Sequence, residues 1–139
     1  MSTIDVHQIN EQAQSWTVPF SPTSVRTART TITVALRRHG VTPGVIDDAR
    51  MVVSELLGNA LRHARPLPDG VLRVVLEIQD GAIRLSVVDG GSATLPTLLS
   101  PPTMALGGRG LSIVRNLTRD WGVLESRGGN TVFGVLNLA

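Results

Sequence analysis

A two-layer α/β sandwich, with about three helices over one face of a mixed, mostly antiparallel sheet, is the fold class this sequence predicts. Three observations lead there. Apolar residues recur at helical spacing twice in the first half of the chain. The period then falls to two, and a single further helical stretch begins near Arg109. An amphipathic helix and a half-apolar strand must each cover an apolar face, and covering one with the other gives two layers. At 139 residues and 42% hydrophobic content the expected organisation is one domain over residues 15–139, preceded by a loose polar tail over residues 1–14.

Ser15 to Phe20 alternates weakly and reads as an edge strand, stopped by Pro19 and Pro22. Ser21-Pro22 reads as an N-cap followed by proline in the first helical position. Val25, Ala28, Ile32, Ala35 and Leu36 then mark one helical face, and Gly40 ends it. Thr42-Pro43 repeats the start signal, with Asp47 and Asp48 early in the helix, where its dipole favours anions. This second helix is expected to reach Ala64, before Pro66. Leu72, Val74, Leu76 and Ile78 line one face of a strand, Asp80-Gly81 signals a tight hairpin, and Ile83, Leu85 and Val87 line the return strand. Residues 90–108 have no period and contain Pro96, Pro101 and Pro102. A helix carrying Leu111, Val114 and Leu117 follows. Strands from Trp121 to Ser126 and from Thr131 to Leu138, joined at Gly128-Gly129, complete the chain.

Composition removes several function classes. There is no cysteine, hence no disulfide framework, thiolate metal site or catalytic thiol. All 13 basic residues are arginine, so the pI of 10.9 accompanies a net charge of only +2 and does not by itself indicate nucleic acid. Lysine-dependent chemistry, including the phosphate-binding lysine of a P-loop, is ruled out. Trp16, Phe20, Trp121 and Phe133 are the only aromatics, too few for a base-stacking surface. No apolar run is long enough for a membrane helix and the N-terminus lacks a secretory pattern, so a cytoplasmic protein is expected, with no membrane or direct nucleic-acid partner.

Three constellations could carry chemistry. In the second helix Glu55, Asn59 and Arg62 fall within about 60° of one another, away from the apolar cluster of Ile46, Val53, Ala60 and Ala64. A carboxylate and an amide oxygen four residues apart suit a hard cation such as Mg²⁺ shared with phosphates, although the same face also reads as a solvated surface. Asp89 shares parity with Ile83, Leu85 and Val87, which turns a carboxylate toward the core at a strand end. There it must accept hydrogen bonds, from a ligand's amine or from an ordinary Asp-Gly turn. Gly107-Gly108-Arg109-Gly110-Leu111 opens into a helix, where bare N–H groups and the helix dipole favour phosphate and Arg109 adds a forked donor; a loop that merely needs glycine is the alternative.

Taken in order, these motifs resemble the Bergerat-fold ATP-binding family, which includes histidine-kinase catalytic domains and gyrase-type ATPases. Glu55-x-x-x-Asn59 matches its N box, Asp89-x-Gly91 its G1 box and Gly108-x-Gly110 its G2 box. The run Glu55-Leu56-x-x-Asn59-Ala60-x-x-His63-Ala64, with the later Gly-Arg-Gly-Leu-x-Ile-Val and Gly129-x-Thr131-Val132 segments, is most similar to the bacterial anti-sigma-factor serine kinases. The likeness covers about Trp16 to Leu138.

The resemblance implies ATP and Mg²⁺ as ligands. Asn59 would hold the metal, Glu55 would be the catalytic base and Asp89 would accept the adenine amine, with Gly91 shaping its pocket. Gly108, Arg109, Gly110, Leu111 and Thr131 would complete the ATP site, and residues 90–107 would form its lid. It further implies a regulatory serine/threonine-protein kinase whose partners are a sigma factor, an anti-sigma-factor antagonist or both. A nucleotide-gated binding module without phosphotransfer is the alternative, and a homodimer is left open. Two departures stand out: Ala93 replaces the second glycine of the G1 pattern, and residues 90–108 carry no charged side chain. His63 reads as a structural hydrogen-bonded residue, and the arginine stripe Arg26, Arg29 and Arg37 as a solvated face or one that meets an acidic protein.

Overall fold

The computed structural model describes residues 13–91 and 109–138, of which residues 109–111 are described by their backbone alone. The proposed tail, up to residue 12, and the lid beyond Gly91, with Ala93 and Gly108, lie outside the described residues.

Helix α1 spans Thr23–Arg38 and buries Ser24, Ala28, Ile32, Ala35 and Leu36, the face expected from spacing with one serine added. It starts a residue later than the Ser-Pro signal suggests. Pro22 takes the cap position, and the Ser21 hydroxyl lies 3.2 Å from that of Thr23 rather than on a backbone N–H. Its end is built by backbone geometry. Gly40 adopts φ +72°, its N–H donates to the Arg37 carbonyl at 3.0 Å, and the Val41 N–H donates to the Leu36 carbonyl at 3.1 Å. This is a Schellman closure, which needs a left-handed residue and therefore favours glycine.

Helix α2 spans Pro43–His63, with Thr42 as its cap and proline in its first position. Asp47 and Asp48 fall beyond the first turn, so their expected contribution at the dipole is not realised. Seven residues between Ile46 and Ala60 are buried, including Val52, Val53, Leu56 and Leu57, each with no exposure. Each Leu or Val buried so completely contributes about 1.5–3 kcal/mol.

The strands are β1 (Ala13–Pro19), β2 (Val71–Gln79), β3 (Ala82–Val88), β4 (Asp120–Ser126) and β5 (Gly129–Asn137), and helix α3 (Arg109–Leu117) precedes β4. They form one sheet in the order β1-β2-β3-β5-β4, and every pairing is antiparallel. The expectation of a mixed sheet is thus simplified to a purely antiparallel one. The edge strand begins at Ala13, two residues before Ser15, and Phe20 lies outside it. The Asp80-Gly81 hairpin is tight: φ is +54° and +75° at these residues, and Gln79 pairs directly with Ala82. Two consecutive positive φ angles define the type I′ turn, whose twist matches that of its strands.

The three helices among the described residues cover one face. α2 lies in the middle, touching α1, α3, β3 and β5. From below, Leu72, Val74, Leu76, Ile83, Leu85, Val87, Val132 and Leu136 meet it, the even alternation of a half-buried sheet. Gly134 lets the sheet approach closely, because a Cβ there would stand 2.9 Å from Thr118 Cγ2 and 3.3 Å from Val52 Cγ1.

Candidate nucleotide site

Asp89 and Gly91 lie where β3 ends, against the chain that follows α2, and Glu55 and Asn59 lie in the C-terminal half of α2. Leu56, Leu57 and Ala60 anchor the C-terminal half of α2 in the core, which leaves Glu55 and Asn59 half-buried and Arg62 exposed on the adjoining face. His63 is exposed at the last position of the helix.

Just past α2 the backbone clasps the end of β3. The Arg65 N–H donates to the Gly91 carbonyl at 2.7 Å, and the Gly90 N–H donates to the Arg65 carbonyl at 2.7 Å. The fit is close enough that a Cβ on Gly90 would fall onto the Pro66 carbonyl. A Cβ on Gly129 would likewise fall onto the carbonyl of Asp89. Gly91 adopts φ +105°, in the region that favours glycine. The motif reading included Gly91 and Gly129 and placed Gly90 only as the first residue of the lid. A bare glycine between Asp89 and Gly91 is unexplained until Pro66 is placed against it.

Asp89 is 3% exposed, turned inward as strand parity requires. Its Oδ1 accepts the Gly91 N–H at 2.7 Å and the Asn130 N–H at 3.4 Å, while its own N–H donates to the Asn130 carbonyl at 2.9 Å. Burial pushes the carboxyl above its ordinary range, opposed first by the Gly91 N–H and then by that of Asn130. The turn reading of Asp89 therefore holds at Oδ1. At Oδ2 no hydrogen bond is made among the described residues, so that oxygen can receive a donor from a ligand.

Register corrects one expected site residue, because Thr131 does not stand beside Asp89. Val88 pairs with Thr131 and Val87 with Val132. Thr131 is therefore on the sheet face turned away from the helices, together with Phe133, and Asp89 is on the helix-side face. One step further along the ladder, Asp89 faces Asn130. Asn130 thus joins the Asp89 junction, and strand parity was the available signal. Arg109, Gly110 and Leu111 form the first turn of α3, whose backbone N–H groups have no acceptor within the helix.

A cation and a purine fit this donor set. Glu55 and Asn59 supply hard oxygen ligands on one helical face, and the buried Asp89 oxygen is an acceptor suited to an exocyclic amine. No group of three or more His, Asp or Glu that could hold a metal by itself occurs among the described residues. A shared, phosphate-bound cation is the arrangement that such a sparse set suits.

Residues 18–133 match the histidine kinase-like ATPase domain family. The chain belongs to that family. Over 124 residues this ATPase-family domain is 27% identical to the serine-protein kinase RsbW of Staphylococcus aureus, covering 80% of this chain and 78% of that protein. Among solved structures it is similar to the RsbU and RsbW domains of Rv1364c from Mycobacterium tuberculosis, with a TM-score of 0.69 and 22% identity over 90% of this chain. It spans only 32% of that longer chain. It is also similar to the SiaB-SiaC complex of Pseudomonas aeruginosa, with a TM-score of 0.64 and 14% identity over 98% of this chain and 99% of the other. At these identities the structural likenesses establish a shared fold. No helix among the described residues is long and apolar enough to cross a membrane.

Proposed function

We propose that this ATPase-family domain binds Mg-ATP between α2, the Asp89 turn and the start of α3, and acts in the cytoplasm as an anti-sigma-factor-type serine kinase. Its partners would be an anti-sigma-factor antagonist, phosphorylated on serine, and a sigma factor held or released in exchange. The observation that carries this reading is the buried Asp89 carboxylate, clamped at one oxygen and placed beside the Glu55/Asn59 helix. The similarity to a serine-protein kinase over most of the chain supports the reaction class.

Bound Mg-ATP would supply the phosphoryl group and screen its charge. The chain's own work is positioning and proton handling. Asn59 Oδ1 would orient the metal-bound phosphates, and the first turn of α3 would point N–H donors at them. Asp89 would select adenine through its amine. Glu55 would take the proton from the acceptor serine hydroxyl as its oxygen attacks the γ-phosphorus and the bond to the β-phosphate breaks to release ADP, a role worth about 10²–10⁴ in rate.

Calorimetry with ATP, ADP and GTP, with and without Mg²⁺, tests the binding half. Mg-dependent heat with ATP and ADP and little with GTP is expected, and absence of any nucleotide binding at millimolar ATP overturns the reading. A second reading, a nucleotide-gated binding module without transfer, is favoured by one feature: residues 90–108 offer no charge to balance a γ-phosphate. Radiolabelled ATP with a captured antagonist separates the two. Under the kinase reading, Glu55→Gln keeps nucleotide and partner binding but loses labelling. If the wild type labels nothing while ATP still alters partner affinity, the module reading stands.

A further inference from the structure

On the opposite flank of α2 lies a groove that the nucleotide reading does not use. It has a volume of about 750 Å³ and is lined by Pro22, Thr23, Val25, Arg26, Thr27, Arg29 and Thr30 of the α1 segment and by Arg50 of α2. Arg50 lies nine residues before Asn59, which at about 100° per residue places it about 180° around the helix. The groove and the nucleotide site are therefore back to back.

Three arginines, Arg26, Arg29 and Arg50, line it. The one carboxylate ion-paired with any of them among the described residues is Asp47, 3.8 Å from Arg50 and itself largely exposed. The Nε atoms of Arg29 and Arg50 are buried and so turned away from the open groove, which leaves the terminal guanidinium N–H groups of these half-exposed side chains to meet a ligand. The threonine hydroxyls are unequal. Thr27 Oγ1 reaches back to the Thr23 carbonyl at 3.5 Å, a long contact that a better acceptor can replace. From Pro22 to Thr30 the groove runs about 12 Å along α1, enough for more than one anionic group.

We infer that this groove is a binding site for a small polyanion carrying phosphate groups, distinct from the nucleotide site. The guanidinium fork matches phosphate oxygens in pairs, and a volume of this size is that of a small-molecule pocket. The inference stands without the proposed kinase activity, and its test uses no ATP.

Inorganic pyrophosphate, titrated into ¹⁵N-labelled protein at constant ionic strength with chloride as control, is the probe. Saturable amide shifts within residues 22–30 and around Arg50 are expected. Arg29→Gln and Arg50→Gln should each weaken the affinity about tenfold. Arg37→Gln, an exposed arginine at the other end of α1, should leave it unchanged, and thermal unfolding of each variant checks folding. Three results overturn the proposal. One is that chloride reproduces the shifts. Another is that the shifts gather instead at residues 109–111, the phosphate end of the proposed nucleotide site. The third is that a poly-glutamate peptide saturates the groove while pyrophosphate does not, which assigns the surface to an acidic protein segment.

Discussion

Asp89 carries most of the consequence at the scale of single residues. An aspartate whose carboxyl is raised by burial is less costly protonated than ionised, so its effect on stability is favourable below its ordinary value of 3.8 and is lost as pH rises through the elevated folded value. Burial thus sets a stability penalty on the ionised carboxylate. Asp89→Asn keeps an acceptor for the Gly91 and Asn130 N–H groups and removes that charge. Chemical unfolding should show the variant at least as stable as wild type at neutral pH, by up to about 1 kcal/mol. The gap should close as pH falls below 4, while selectivity for adenine over guanine is lost. An Asp89→Asn protein that is less stable at neutral pH, yet equally selective, would reduce Asp89 to a turn residue. Gly90 makes the complementary case. Gly90→Ala drives a methyl group into the Pro66 carbonyl and opens the clasp, so a loss of about 2–3 kcal/mol and of nucleotide binding together is expected by calorimetry and thermal melts.

At the scale of elements, α2 is one amphipathic helix with two tasks. Its buried face sets the position of the other, so damage to packing and damage to chemistry are separable by face. Leu56→Ala removes a fully buried side chain beside Glu55 and should cost about 2–5 kcal/mol in denaturant unfolding. Asn59→Ala, on the half-buried face, should change unfolding little and abolish Mg-dependent nucleotide heat. Gly40→Ala is an element-level control. It forces alanine into the left-handed closure of α1 and should cost about 1–2 kcal/mol. Nucleotide affinity should be untouched, because the Schellman motif lies at the other end of the helical layer from Asp89. An equal loss of affinity in Gly40→Ala would mean that the layer transmits strain across α2.

For the whole molecule, ligand linkage is the cleanest measurement. Binding restricted to the folded state adds about 2.7 kcal/mol when free ligand is 100 times its dissociation constant. Thermal melts in saturating Mg-ATP should therefore rise by several degrees, while Asn59→Ala melts stay flat. What was legible beforehand and what was not divides along a physical line. Hydrophobic period, the Ser-Pro and Thr-Pro starts, Gly40 and Asp80-Gly81 are local signals, so the three described helices, the Asp80-Gly81 hairpin and the family's ordered motifs could all be read from the chain. The inward turn of Asp89 was legible for the same reason, since strand parity is local. Strand order and register are not local. They decided that Asn130, rather than Thr131, stands beside Asp89, and that Arg65 and Pro66 close against Gly90. The arginines on two helices likewise became a groove only once α1 lay against α2, because contacts between residues far apart in sequence follow from how the layers pack and not from any spacing along the chain.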